Sequence, residues 1–162
     1  MQMLQSMSIH SKFKYVSSVF LLLIAVLAAI AHAQIIISGL QPFNLGSWTI
    51  GSGDITANQN ICVNLDPQGP FSVVADGDSQ SGEFVLVGVF DSIAYQLYFN
   101  DSAGLNGRTE LAPGVPLTGL RGRRFPCNQP RANLSLVIPE ANLTAASDGS
   151  YSTTISLLVS PE

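Results

Sequence analysis

Histidine and lysine are missing from this sequence beyond its first 33 residues: His10, Lys12, Lys14 and His32 all precede Gln34, as do Met1, Met3 and Met7. A chain that begins at Gln34 therefore has no base for a Ser-His-Asp, Cys-His or Ser-Lys nucleophile. It also has no Schiff-base lysine for pyridoxal phosphate and no imidazole for a metal. Two cysteines, Cys62 and Cys127, cannot by themselves build a four-ligand zinc site. The lysine of a phosphate loop is absent, and no G-x-G-x-x-G follows a strand, so Gly51-Ser52-Gly53-Asp54 reads as a turn. Charge is sparse, at 11% of residues. From Gln34 onward five arginines face eleven acids, a net charge of −6. An acidic surface excludes nucleic acid and anionic membranes as the expected partners. Arg121-Gly122-Arg123-Arg124 is the local exception and reads as a solvated loop.

The basic residues that do precede Gln34 belong to a recognisable arrangement. Lys12 and Lys14 stand before an apolar run from Val19 to Ala31, closed by Ala31-His32-Ala33. A charged n-region, an apolar h-region and an A-x-A site make a secretory signal peptide over 1–33. The expectation is export, with one domain over 34–162 and no membrane insertion after cleavage. In an exported chain the even cysteine count points to a Cys62–Cys127 disulfide, worth about 4 kcal/mol in the loop-entropy model.

Alternation of apolar and polar residues carries the fold class. In the last run, Tyr151, Ile155, Leu157 and Val159 fall on one side, with Ser152, Thr154, Ser156 and Ser160 on the other. Asp148-Gly149 and Pro161 bound the run, as expected of a half-buried antiparallel strand. Glu162 follows directly, so the far edge of this strand is expected to be covered from earlier in the chain or by another molecule. Shorter runs repeat the pattern: Ile35 and Ile37; Phe43 and Leu45; Ile61, Val63 and Leu65; Phe71, Val73 and Ala75; Tyr95, Leu97 and Phe99; Leu134, Leu136 and Ile138. Phe84 to Phe90 is nearly all apolar and reads as a central strand covered on both faces. Ala141 to Ala146 reads as a connecting turn. About eight short strands, frequent turn signals and no helix predict an all-β, Ig-like antiparallel β-sandwich.

Candidate chemistry is thin. Asp76-Gly77-Asp78-Ser79-Gln80 resembles a calcium loop but has Val87 where the acid at the twelfth position belongs, so it reads as a polar hairpin tip. No pair among Asp76, Asp78, Asp91 and Asp101 is marked as a glycosidase dyad. The expectation is neither an enzyme nor a cofactor protein. Trp48, Tyr95 and Tyr98 could line a sugar-binding surface, although strand aromatics more often face a core. Asn100, Asn133 and Asn142 open glycosylation sequons.

Several segments together resemble the spore coat protein U family, which includes subunits of archaic chaperone–usher pili. They are Phe43-Asn-Leu-Gly46, Ile61-Cys-Val63, Phe71-Ser-Val-Val-Ala75, Ile93-Ala-Tyr-Gln-Leu-Tyr-Phe99 and the run from Asp148-Gly-Ser-Tyr to Pro161. The resemblance implies a sandwich lacking its last strand and completed by strand donation. A periplasmic chaperone would fill the gap during export, and neighbouring pilin subunits would fill it after passage through an outer-membrane usher. It places the protein in the periplasm and then at the cell surface, in a pilus or coat-like layer serving adhesion or biofilm formation. Its strand-acceptor groove would comprise Leu134, Leu136, Ile138, Tyr151, Ile155, Leu157 and Val159. The front departs from the pilin pattern: only Gln34 to Leu40, with Ile35 and Ile37, is available as a donor segment. From the residues alone, the alternative is a stand-alone secreted β-sandwich binding module, carbohydrate-binding or lectin-like.

Overall fold

The N–H and C=O groups of an extended chain must find partners across strands, and in this protein they do so almost wholly in antiparallel ladders. The structure is a computed structural model that describes residues 33–79, 82–124 and 129–162. Among the described residues, ten strands and one short helix follow in order: β1 Gln34–Ser38, β2 Ile55–Asp66, β3 Pro70–Gly77, β4 Val85–Val87, β5 Ser92–Ala94, β6 Gln96–Asn100, β7 Thr109–Glu110, β8 Leu117–Arg121, β9 Ala132–Ile138, α1 Glu140–Ala145 and β10 Ile155–Pro161. They build a five-stranded sheet, β1-β2-β9-β6-β7, a three-stranded sheet, β10-β3-β8, and a β4-β5 hairpin. The protein is an all-β sandwich.

Alternation decides which side chains enter the core. On β3, Phe71, Val73 and Ala75 are fully buried, while Ser72 and Val74 between them are half-buried and Asp76 is exposed. Ile61, Leu65, Leu97, Phe99, Leu134, Leu136 and Ile138 meet them from the larger sheet. Phe71 stands edge-on to Phe99, with ring centroids 6.2 Å apart. Strand β2 is long because it serves two neighbours. Its first half pairs with β9, from Ile55↔Ile138 to Ile61↔Ala132. Its second half pairs with β1, from Ser38↔Cys62 to Gln34↔Asp66. Past β1 the ladder on that side stops, and residues 39–54 form no strand.

Four expectations need correction. Phe84 to Phe90 is not a central strand: only Val85–Val87 is strand, and Val89 and Phe90 are 87% and 84% exposed. The Gly88 N–H bonds to the Asp91 carbonyl at 2.9 Å, so the run turns back on itself as a hairpin that leaves Val87, Val89 and Phe90 exposed. Ile93 to Phe99 is two strands, because the chain changes partners at Tyr95. Its N–H bonds to Phe84 O at 2.9 Å, whereas Gln96 already pairs with Val137. Residues 140–145 form a helical turn; Asp54 caps it from outside, accepting from the Glu140 N–H at 2.8 Å, a substitute for a capping side chain at its own first residue. The Phe43–Leu45 run is not a strand, although both side chains pack on the core.

Arg123 is drawn in by its backbone: Leu65 N–H bonds to Arg123 O at 2.8 Å and Arg123 N–H to Val63 O, leaving the side chain exposed. Gly122 makes this approach possible, since a Cβ there would fall 2.4 Å from Leu65 Cδ1.

Candidate binding cleft

Strand β10 pairs with β3 from Ile155↔Gly77 to Pro161↔Phe71 and has a hydrogen-bonded neighbour on that side alone among the described residues. Backbone bonds alternate along an antiparallel strand, so half of its N–H and C=O groups face an open edge. Its inward side chains Ile155, Leu157 and Val159 are only half-buried, packed against the core. Beside them opens a cleft of about 730 Å³. The segment Leu40–Gly46 lines it, as do Tyr151–Ile155 and Leu157, Leu134 and Leu136 from β9, and Leu86 and Tyr95.

The sequence-derived groove residues therefore divide. Leu134, Leu136, Tyr151, Ile155 and Leu157 come together on this cleft. Ile138 lines an adjoining cleft of about 670 Å³ that shares Leu45, Gly46, Leu86 and Tyr151 with the first. Val159 lines neither and packs on the core from β10. Ile35 and Ile37 lie in β1, opposite Leu65 and Val63 of β2. Cys62 is buried and no described cysteine is free; Cys127 lies outside the described residues, as does all of the 1–33 stretch except Ala33.

Residues 40–46 run along the cleft without a ladder, and the Gln59 side chain ties them to β2. The Gln41 N–H bonds to Gln59 Oε1 at 2.8 Å, and Gln59 Nε2 donates to Gln41 O at 3.0 Å. A primary amide carries one acceptor and two donors, so Gln59 pairs with this peptide much as a neighbouring strand would. Nothing in the alternation marks Gln59 for that role.

Tyr151 fixes the mouth. Its hydroxyl donates to the Asp91 carboxylate and lies 2.7 Å from Ser147 O, while the Ser147 N–H reaches Asp91 Oδ2 at 2.7 Å. Next to it Ser152 and Val87 exchange both backbone bonds. The Tyr151 hydrogen bond, then those from Ser147, hold the Asp91 carboxyl below its ordinary 3.8; the bond to Asp91 holds the Tyr151 phenol above its ordinary 10.0. A lowered acid contributes stability above its unfolded value and loses it as pH falls through the folded one. A raised phenol contributes below its unfolded value and loses it at more alkaline pH. The hairpin should thus loosen in acid below pH 3.8 and again in alkali beyond pH 10. Tyr151→Phe should abolish the alkaline loss and reduce the acid-side one, leaving the part that the Ser147 bonds to Asp91 maintain, read as the wild-type minus mutant melting temperature across pH.

The aromatics do not form one platform. Tyr95 is buried and stacked on Phe84 at 5.8 Å, and burial pushes its phenol up to about 12. Tyr98 lies beneath the Arg108 guanidinium, 4.3 Å from its ring centroid. Trp48 is half-buried and donates to Gly53 O at 2.8 Å. Asn100 and Asn133 are buried in side-chain hydrogen bonds, so two of the three sequons are not accessible in the folded protein. Among the described residues, no three His, Cys, Asp or Glu gather as a metal site, and no helix is long and apolar enough to cross a membrane.

No protein-family model matches the chain, and no curated protein does. Among solved structures it is similar in fold to a chain from a chaperone–tip adhesin complex described as vital for synergistic activation of CFA/I fimbriae biogenesis. The TM-score is 0.56 at 16% identity, over 79% of this chain and 41% of that one. This chain thus spans about two fifths of that chain's length.

Proposed function

We propose that this protein is an exported structural subunit of a surface pilus or coat-like layer, assembled by chaperone–usher donor-strand complementation, as its resemblance to the spore coat protein U family implies. It is not an enzyme on this reading. The observation that carries it is the edge of β10 that has no hydrogen-bonded neighbour among the described residues, whose half-buried Ile155 and Leu157 border the cleft together with Leu134 and Leu136. An unpaired edge beside exposed apolar side chains is a template for association. An added strand would satisfy the edge with main-chain bonds and fill the cleft with alternate side chains. The fold likeness to a chain from a fimbrial chaperone–adhesin complex supports the same reading. Its partners would be a periplasmic chaperone, an outer-membrane usher and neighbouring subunits, with Cys62 and Cys127 joined in the oxidising periplasm.

The test is the melting temperature of residues 34–162 with and without strand peptides: the chain's own Gln34–Leu40 sequence, and alternating valine and threonine as long as β10. A ligand at a hundred times its Kd stabilises the folded state by about 2.7 kcal/mol, so a clear rise is expected with at least one peptide. A high melting temperature unmoved by either would mean a self-sufficient domain and overturn the proposal.

A further inference from the structure

Residues 40–46 alternate as a strand does. Phe43 and Leu45 are half-buried and pack on the core, while Gln41 and Asn44 are exposed. Their backbone nevertheless joins no ladder. Among the described residues it is held by the Gln59 amide at Gln41 and, at the Gly46 N–H, by Asn44 Oδ1 at 3.2 Å. The second of these bonds lies within the segment, so only the first ties it to a neighbouring element. Gly39 and Gly46 stand at its two ends with φ of +85° and +72°, the left-handed conformation in which glycine lets a chain change direction without a side-chain clash.

Gln59 occupies an inward position. Along the first half of β2, Ile55, Ala57 and Gln59 are half-buried and Ile61 is buried, while Thr56, Asn58 and Asn60 between them are exposed. Gln59 lies opposite Leu134 of β9 and lines the 730 Å³ cleft with Leu134, Leu136, Ile155 and Leu157. The cleft therefore has two unlike borders. On one side β10 has backbone groups with no strand beside them among the described residues. On the other lies a strand-like segment whose hold on the sheet is a single amide side chain.

We infer that residues 40–46 are a displaceable strap over the strand-acceptor cleft, with Gln59 as its latch. In the free subunit the strap supplies Phe43 and Leu45 to the core. An extended segment arriving along β10 releases it, because a ladder of backbone bonds with a row of apolar side chains outweighs one bidentate amide. The strap sets the affinity of the cleft: the apparent Kd of a partner is its intrinsic Kd divided by the fraction of molecules in which the strap is open. This rests on the strand-addition reading above.

Two measurements on the 34–162 protein, with the same two peptides, test it. Gln59→Leu keeps the bulk of the side chain and removes both bonds to Gln41, so it is expected to bind peptide about five- to tenfold more tightly. In wild type, hydrogen exchange at the Gln41 amide is expected to speed up about tenfold on saturation with peptide, as local opening exposes it. Global stabilisation by a ligand would slow that exchange, so the sign is diagnostic. The exchange measurement needs no substitution and decides the matter even where Gln59→Leu fails to fold. Gln41 exchange unchanged or slowed by bound peptide would make 40–46 a fixed wall of the cleft and overturn the inference. Affinity in folded Gln59→Leu no tighter than wild type would overturn it as well. Binding by Gln59→Leu alone would support it. Binding by neither protein would remove the strand-addition reading, and this inference with it.

Discussion

Phe71→Ala should lower the unfolding free energy by about 3–5 kcal/mol, the range for a phenylalanine deleted from a packed interior. Phe71 is completely buried, lies opposite Pro161 and Leu120 in the two neighbouring strands, and meets Phe99 edge-on across the sandwich. Its removal takes away contacts that hold β10 and β8 to the larger sheet. Neighbours from three strands cannot all collapse into the space, so most of the cavity cost should remain. Chemical denaturation would show it as a lower midpoint at unchanged slope. A loss under about 1 kcal/mol would mean that the two sheets do not depend on this contact.

Leu157→Asp should have the second largest effect, on function more than on folding. Leu157 is opposite Ala75 and half-buried on the cleft, so the free protein should lose only about 1–2 kcal/mol, part of the value of a buried leucine. An added strand would bury the new carboxylate against Leu134 and Leu136 without a counter-ion, and unpaired buried charge is strongly disfavoured. Peptide-induced stabilisation should therefore vanish, with binding weaker by about a hundredfold or more. Leu158→Asp is the control, since Leu158 is 64% exposed on the opposite side of β10. It should behave as wild type, and a wild-type response from Leu157→Asp as well would remove β10 from the acceptor role.

Much of this was legible in the residues. The alternation of Phe71, Val73 and Ala75, of Leu134, Leu136 and Ile138, and of Ile155, Leu157 and Val159 identifies strands and their inward faces, because period 2 is a property of the extended chain itself. The run Phe84–Phe90 reads as a central strand but is strand only over Val85–Val87, since an apolar run does not say whether both its faces will be covered. The break at Tyr95 was invisible for a related reason. Ile93, Tyr95, Leu97 and Phe99 keep perfect alternation through it, and all four are buried. A change of pairing partner leaves no mark on periodicity. Gln59 gave no signal either: its bonding to Gln41 depends on where residues 39–46 run, which local preference does not specify.

What the sequence by itself determined is the class of fold, the inward side of the alternating strands, the excess of acids over arginines and the absence of histidine and lysine from Gln34 onward. Each follows from side-chain type and from the geometry of a single extended segment. Only the tertiary structure decided that β2 divides itself between β1 and β9, that β10 is paired on one side, and that Leu136 and Leu157 reach the same cleft. Pairing is a long-range choice among strands with similar patterns, settled by the joint burial of side chains distant in sequence, such as Phe71 and Phe99.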